Sequence, residues 1–174
     1  MSRALAKILD LDAYLLLQIR RLERRWLTPV MQLVTRLGNA EVWFALGFVL
    51  LALGGAGTEA GLRLGAAAIF GTLLAQILKR LCKRERPNLR IKGFVSLADN
   101  PDHFSFPSGH TTTAWAVAIA LLDQGYTLGA LAVSFASVIT VSRVYLGAHY
   151  PLDVAIGAGL GAAAGVTVRI AFAL

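Results

Sequence analysis

The chain has 174 residues, is 56% hydrophobic with a mean hydropathy of +0.63, and is only 16% charged. So little polar surface on one domain of this length excludes an ordinary soluble fold and reads as a polytopic membrane protein. The net charge of +7 comes from Lys and Arg residues that flank apolar runs. That placement points to anionic lipid headgroups or a phosphate substrate and away from nucleic acid.

Residues 1–25 carry too many charges to cross a bilayer. Leu5, Ile8, Leu9, Leu15, Leu16 and Ile19 recur at roughly helical spacing, and Arg20, Arg21, Arg24 and Arg25 crowd the end. This predicts an amphipathic helix at the headgroup level, with a solvated basic helix as the plainer alternative. The first thirty residues lack the order of a short basic end, an apolar core and a small-residue cleavage site, so the N-terminus is expected to be retained.

The next apolar run, about 40–57, falls short of the roughly 20 residues of a full span. The preceding "TPVMQLVTRLGN" is expected to supply a half-buried lead-in turn. A second span covers about 62–82 and ends in "KRLCKRERP". Cys82, the only cysteine, excludes an intramolecular disulfide and a zinc cluster and reads as a small apolar helix residue. Residues 83–107 are polar, contain Pro87, Asn88, Pro101 and Pro107, and form the one long loop, a kind of segment that often carries function. A third, short span is expected over about 108–123 and two more over about 127–147 and 151–173, joined by the tight turns "DQGYT" and "GAHYP". In the last of these Gly157, Gly161 and Gly165 share one helix face. Close packing within the chain is the plainer reading of that face, and a homodimer contact is the other.

The expected fold is all-α: a polytopic membrane helix bundle of about five transmembrane helices plus an N-terminal amphipathic interfacial helix. It forms a single domain over 1–174, with interfacial and lead-in helices over 1–38 and the bundle over 39–173. Five spans put the N-terminus, the 83–107 loop and the 147–151 turn on one side and the C-terminus on the other.

Three clusters fall on that shared side. The first is Lys79 with Arg86-Pro87, the second "PSGH" at 107–110, the third Arg143, His149 and Asp153 in "SRVYLGAHYPLD". Cations at membrane depth are costly unless paired or wet. Lys79 and Arg86, taken alone, read as anchors beside Arg80, Lys83 and Arg84. Arg143 follows the apolar "LAVSFASVITVS" with no basic neighbour, so it needs an anion, either Asp153 or a ligand. Ser108 and Gly109 stand where a helix begins, where free N–H groups and the helix dipole favour an anion. Gly109 allows a ligand close to the backbone, and Ser108 alone would be an ordinary N-cap.

His110 and His149 are the candidate acid–base or nucleophilic groups. Asp153 lies four residues after His149, and Pro151 suits the first helical position. Asp153 can then accept a hydrogen bond from the His149 ring, fix its tautomer and leave the other nitrogen free to attack. His103 lies outside these clusters. A pocket of cations, helix-end N–H groups and two imidazoles suits phosphoryl transfer, one His attacking phosphorus and the other protonating the leaving oxygen. No carboxylate cluster is available for a metal, because Asp99 and Asp102 are too few and too isolated for two-metal hydrolysis. No cofactor is expected.

Together the three clusters resemble the signature of the type 2 phosphatidic acid phosphatase superfamily, the integral-membrane lipid phosphate phosphatases related to vanadium haloperoxidases. The pattern is Lys, six residues, Arg-Pro; then Pro-Ser-Gly-His; then Ser-Arg, five residues, His, three residues, Asp. Lys79 to Arg86-Pro87, Pro107 to His110, and Ser142-Arg143 to His149 to Asp153 match in identity, order and spacing. The resemblance implies that His149 is the nucleophile of a phosphohistidine intermediate, that Asp153 orients it, and that His110 protonates the leaving group. It implies that Lys79, Arg86, Ser108, Gly109 and Arg143 hold the phosphate, without a metal and with sensitivity to vanadate. The high hydropathy argues against the soluble haloperoxidase branch.

The favoured substrate is undecaprenyl or another polyprenyl diphosphate, ahead of phosphatidylglycerophosphate, phosphatidate and lipid A. A non-catalytic anionic-lipid transporter or flippase is the alternative from another class, and a structural scaffold is a third. The expected location is a bacterial cytoplasmic membrane. Arg3, Lys7, Arg20, Arg21, Arg24, Arg25 and Arg36 precede the first span, and Lys83, Arg84, Arg90 and Lys92 lie on the same side. Only Arg63 and Arg169 oppose them. The positive-inside rule would put the site in the cytoplasm. The resemblance favours the outer face, and part of the basic excess is catalytic, so the outer face is the expectation.

Overall fold

Apolar runs punctuated by glycine, proline and short polar turns become helices, and the computed structural model describes them over residues 3–99 and 102–174. Among the described residues these are α1 (Arg3–Arg20), α2 (Leu27–Leu37), α3 (Ala40–Leu53), α4 (Ala56–Cys82), α5 (Pro87–Arg90), α6 (Gly109–Ala120), α7 (Tyr126–Tyr145) and α8 (Pro151–Ala173). Pro87 and Pro151 each stand at a first helical position, where a missing N–H costs nothing.

Among the described residues the count of five expected spans is not confirmed. α4, α7 and α8 are long and apolar enough to cross a bilayer, and α2 with α3 adds a fourth only if the pair, bent by 58°, counts as one span. The expected lead-in turn is thus a full helix, α2, meeting α3 at Gly38-Asn39. The expected third span is only the 12-residue α6, about 18 Å of rise against a hydrocarbon core of about 30 Å. Its small side chains explain its place. Thr111 to Ala114, Ala116 to Ala118 and Ala120 are all buried, so α6 is the centre of the bundle, packed by α4, α7 and α8.

The glycine face of α8 packs on this central helix. A Cβ at Gly161 would stand 2.3 Å from the Thr112 carbonyl oxygen, one at Gly165 2.5 Å from that of Ala116, and one at Gly157 3.1 Å from that of Ser108. These three glycines are covered inside the chain, so a homodimer would need another face. Outward, α4 exposes Ile69, Phe70, Leu73 and Ile77, α7 exposes Leu131, Val138 and Val141, and α8 exposes Val166 and Ile170. Apolar side chains of this size all around a bundle suit lipid.

The bundle has two poles. At one, Arg63 of α4 pairs with Asp123 and Glu59 at 2.6 Å each, and Arg169 of α8 reaches Asp123 at 3.4 Å. The other pole lies sixteen residues along α4 at Lys79, about 24 Å away by helical rise. There α4 and α7 end and α6 and α8 begin. Leu97 N–H donates to the Leu146 carbonyl at 2.8 Å, folding the long loop over this pole. α1 docks here as well, burying Leu16 against Val144, Tyr150 and Val154 while Leu5, Ile8, Leu11 and Leu15 stay exposed.

Candidate active site

The end of α4 and the loop are stitched together first. Glu85 and Phe104 form an antiparallel bridge, and Ser105 N–H donates to the Arg84 carbonyl at 2.7 Å. That pins Lys79, Arg86 and the 102–105 segment beside the turn after α7. A cavity of about 580 Å³ opens there, and Lys79, Arg86, Gly109, His110, Arg143 and His149 all line it. Residues from four parts of the chain therefore converge at this pole.

His149 is 1% exposed, and its tautomer follows from its partners. Nδ1 lies 2.7 Å from the Ser105 carbonyl oxygen, which can only accept, so Nδ1 carries the proton. Nε2 then holds a lone pair, and Arg86 Nη1 donates toward it at 3.2 Å. Burial, then the positive charges of Arg86, Arg143 and Lys79, push the ring's proton affinity well below the ordinary histidine value; the Ser105 bond offsets only part of this. The ring is neutral at physiological pH.

Asp153 is fully buried but is not the hydrogen-bond acceptor expected for His149. Its Oδ2 lies 3.6 Å from Nδ1 and accepts the Tyr150 N–H at 2.9 Å. Its Oδ1 pairs with Arg84 at 2.6 Å. Asp153 thus lies beside His149 without a hydrogen bond to it, while the Ser105 carbonyl accepts from the ring. Arg84, read from the sequence as an anchor, is the partner of the carboxylate once considered for Arg143. Arg143 instead donates to the Thr35 hydroxyl at 2.5 Å.

The remaining expected residues divide. Gly109 lines the cavity, and the nearest atom to a Cβ there would be Lys79 Cε at 4.0 Å, so its bare backbone is open to a ligand. Ser108 is fully buried one residue behind. Its hydroxyl accepts from Thr111 at 3.1 Å and its N–H donates to the Asp153 carbonyl at 3.1 Å, which locks α6 to α8. His110 Nε2 donates to Asn39 Oδ1 at 2.8 Å, so the α2–α3 bend holds the second imidazole.

Asp102 occupies the place expected for substrate charge. It accepts from Lys79 Nζ at 2.6 Å and forms a close pair with the Arg86 guanidinium. Burial raises its proton affinity, but the Lys79 and Arg86 contacts outweigh that and hold it below the usual carboxylate range. Sequence reasoning weighed Asp102 only as a metal ligand and missed Ser105, Asn39 and Thr35. Their polarity beside a cationic cluster was the only available signal.

The sequence model of the PAP2 superfamily matches residues 60–173. The decaprenylphosphoryl-5-phosphoribose phosphatase of Mycobacterium tuberculosis is 39% identical over 104 residues, which are 60% of this chain and 56% of that protein. An undecaprenyl-diphosphatase of Sulfolobus acidocaldarius is 29% identical over 140 residues, 78% of this chain and 66% of that protein. The chain thus spans little more than half the length of the first of these. The crystal structure of a transmembrane PAP2 type phosphatidylglycerolphosphate phosphatase from Bacillus subtilis superposes with a TM-score of 0.82 at 26% identity, covering 99% of this chain and 88% of that one. A match over more than half the chain, containing all three clusters on a shared fold, makes this chain a member of the PAP2 superfamily.

Proposed function

We propose that this protein is a membrane lipid phosphatase that forms a phosphohistidine intermediate, and that its substrate is a polyprenyl diphosphate. The observation that carries the reading is the His149 Nε2 lone pair beside Arg86 in a cavity that also holds Lys79 and Arg143. In the first step Nε2 bonds to phosphorus and the P–O bond to the leaving group breaks. The electron pair goes to the leaving oxygen, which takes a proton from His110. The phosphate's negative charge favours an imidazolium there. Lys79, Arg86, Arg143 and the Gly109 N–H stabilise the equatorial oxygens. In the second step water bonds to phosphorus as His110 takes its proton, and the N–P pair returns to Nε2.

Two observations favour a diphosphate. A second cavity of about 470 Å³ shares Asn39, His110 and Arg143 with the first and adds Gln32 and Arg36, on the side of the acid. Arg36 and Arg143 there suit a leaving group that is itself a phosphate, although Asp99 lines the same cavity. One relative is also named an undecaprenyl-diphosphatase, and another is named for a decaprenyl substrate that is not a diphosphate. α1 lies on the headgroup layer of a bacterial cytoplasmic membrane, its exposed leucines toward the acyl chains, with the site on the outer face.

A phosphate-release panel in detergent tests the chemistry. Polyprenyl diphosphate is expected to exceed phosphatidylglycerophosphate, phosphatidate and lipid A. Release from another lipid at higher kcat/KM overturns the substrate, and lipid movement with no phosphate release supports a transporter instead. α8 leads from the site pole to the C-terminus, so a reporter fused there is expected in the cytoplasm. A periplasmic signal overturns the outer-face reading.

A further inference from the structure

α1 reaches the site through one carboxylate. Asp12 is 5% exposed, whereas Asp10 on the same helix faces outward. Asp12 Oδ1 accepts the Leu152 N–H at 2.8 Å, and Oδ2 pairs with Arg84 Nη2 at 2.7 Å. Arg84 extends Nη1 to Asp153 Oδ1 at 2.6 Å, and its guanidinium carbon sits 4.0 Å from the centre of the Tyr150 ring. Asp153 keeps Oδ2 toward His149 Nδ1 at 3.6 Å. Asp12, Arg84 and Asp153 therefore form one chain, α1 to loop to α8, with both carboxylates buried and Arg84 partly exposed, ending at the imidazole.

Charge gives this chain a role beyond packing. Asp12, Arg84 and Asp153 sum to one negative charge. When Nε2 bonds to phosphorus, Nδ1 keeps its proton on the Ser105 carbonyl, so the ring gains one positive charge while it is 1% exposed. The two match. Without Asp12, Arg84 would neutralise Asp153 alone, and this chain would offer the new imidazolium no net negative charge against Arg86, Arg143 and Lys79. A charge in a desolvated site depends strongly on its neighbours.

We propose that Asp12 is a positioning residue for phosphoryl transfer: by holding Arg84 it leaves the charge of Asp153 to the imidazolium formed when His149 Nε2 bonds to phosphorus. This rests on the reading of His149 as nucleophile. The bond formed is N–P, the bond broken is P–O, and the leaving oxygen takes the His110 proton.

The pre-steady-state burst of leaving-group release from a saturating excess of polyprenyl diphosphate, measured on the full chain in detergent, tests it. A rate constant is independent of the folded fraction, which sets only the amplitude. Asp12→Asn is expected to lower the rate constant about tenfold or more, the scale of one charge-assisted hydrogen bond. Its amplitude and its inhibition constant for inorganic phosphate stay as in the wild type. Asp12→Ser, a smaller neutral replacement, falls by a similar factor; Asp12→Glu recovers most of the rate; Asp10→Asn matches the wild type. Leu16→Ala, which loosens the same face of α1 without changing charge, loses amplitude and keeps its rate constant. A wild-type rate constant in both neutral Asp12 variants, or a loss confined to amplitude, overturns the proposal. His149→Ala run beside them separates the two readings: turnover retained there overturns the nucleophile itself, whatever Asp12 does.

Discussion

His149 presents Nε2 to the Arg86 guanidinium at 3.2 Å while Ser105 holds the Nδ1 proton from the opposite side. As the proposed nucleophile, a ring so fixed has one attacking atom and one direction. His149→Ala is therefore expected to abolish phosphate release, a fall of several orders of magnitude. Arg86 keeps the Ala148 carbonyl and Asp102 as partners, so the fold persists. Phosphate release together with a melting curve checks both halves, and full activity in a folded variant would refute the mechanism.

Asp102 pairs with Lys79 and Arg86, the cations proposed to hold the phosphate. Asp102→Asn is expected to tighten inhibition by inorganic phosphate by roughly fivefold, about 1 kcal/mol for partly solvated pairs. The same variant should melt lower in phosphate-free buffer and recover more than the wild type when phosphate is added, because phosphate restores the missing anion. Unchanged inhibition would mean that the carboxylate does not stand in the phosphate's place.

The depressed proton affinity of His149 has a signed consequence for stability. The unfolded chain binds a proton near the ordinary value of 6.5, and the folded chain does so only well below it. The neutral ring's contribution is complete above that value and fades as pH falls toward the folded one. The ligand-free wild type should lose melting temperature between about pH 7 and about pH 5 more steeply than His149→Gln. Asp102, held below 3.8, keeps its pairs through that window. Parallel curves for the two proteins would remove burial as the cause.

The α8–α6 contact predicts opposite effects for two neighbouring glycines. Gly161→Ala drives a methyl into the Thr112 carbonyl at 2.3 Å and is expected to cost about 1–3 kcal/mol. Gly159 has nothing within 4 Å, so Gly159→Ala is expected to be neutral or to stabilise by up to about 1 kcal/mol through helix propensity. Denaturation in detergent micelles compares them, and equal losses at both positions would contradict the packing.

Some of what the sequence does not announce still left a trace in it. Asp12 stands four residues from both Ile8 and Leu16, on the apolar face of an otherwise amphipathic helix, and a carboxylate in such a row signals a buried cation. Arg84 gives no comparable sign, because it sits among four other basic residues between Lys79 and Arg86. Ser105, Asn39 and Thr35 contribute through a carbonyl, an amide and a hydroxyl, groups common on any surface. The length of α6 was legible only in part. Its apolar run continues past Ala120 to Leu122, but its Ala and Thr content suited the middle of the bundle and not a full crossing.

By itself the sequence determined the all-helical class, the apolar exterior, the three clusters and their common pole, because these depend on composition, periodicity and spacing along one chain. The tertiary structure alone decided that Ser105 and not Asp153 takes the His149 proton, that Arg84 bridges Asp153 to Asp12, and that Asp102 fills the cation pocket. Those partners come from segments up to 72 residues apart. Hydrogen bonds and ion pairs act over a few ångströms, and only packing α1 and the long loop onto the bundle brings such segments within that reach.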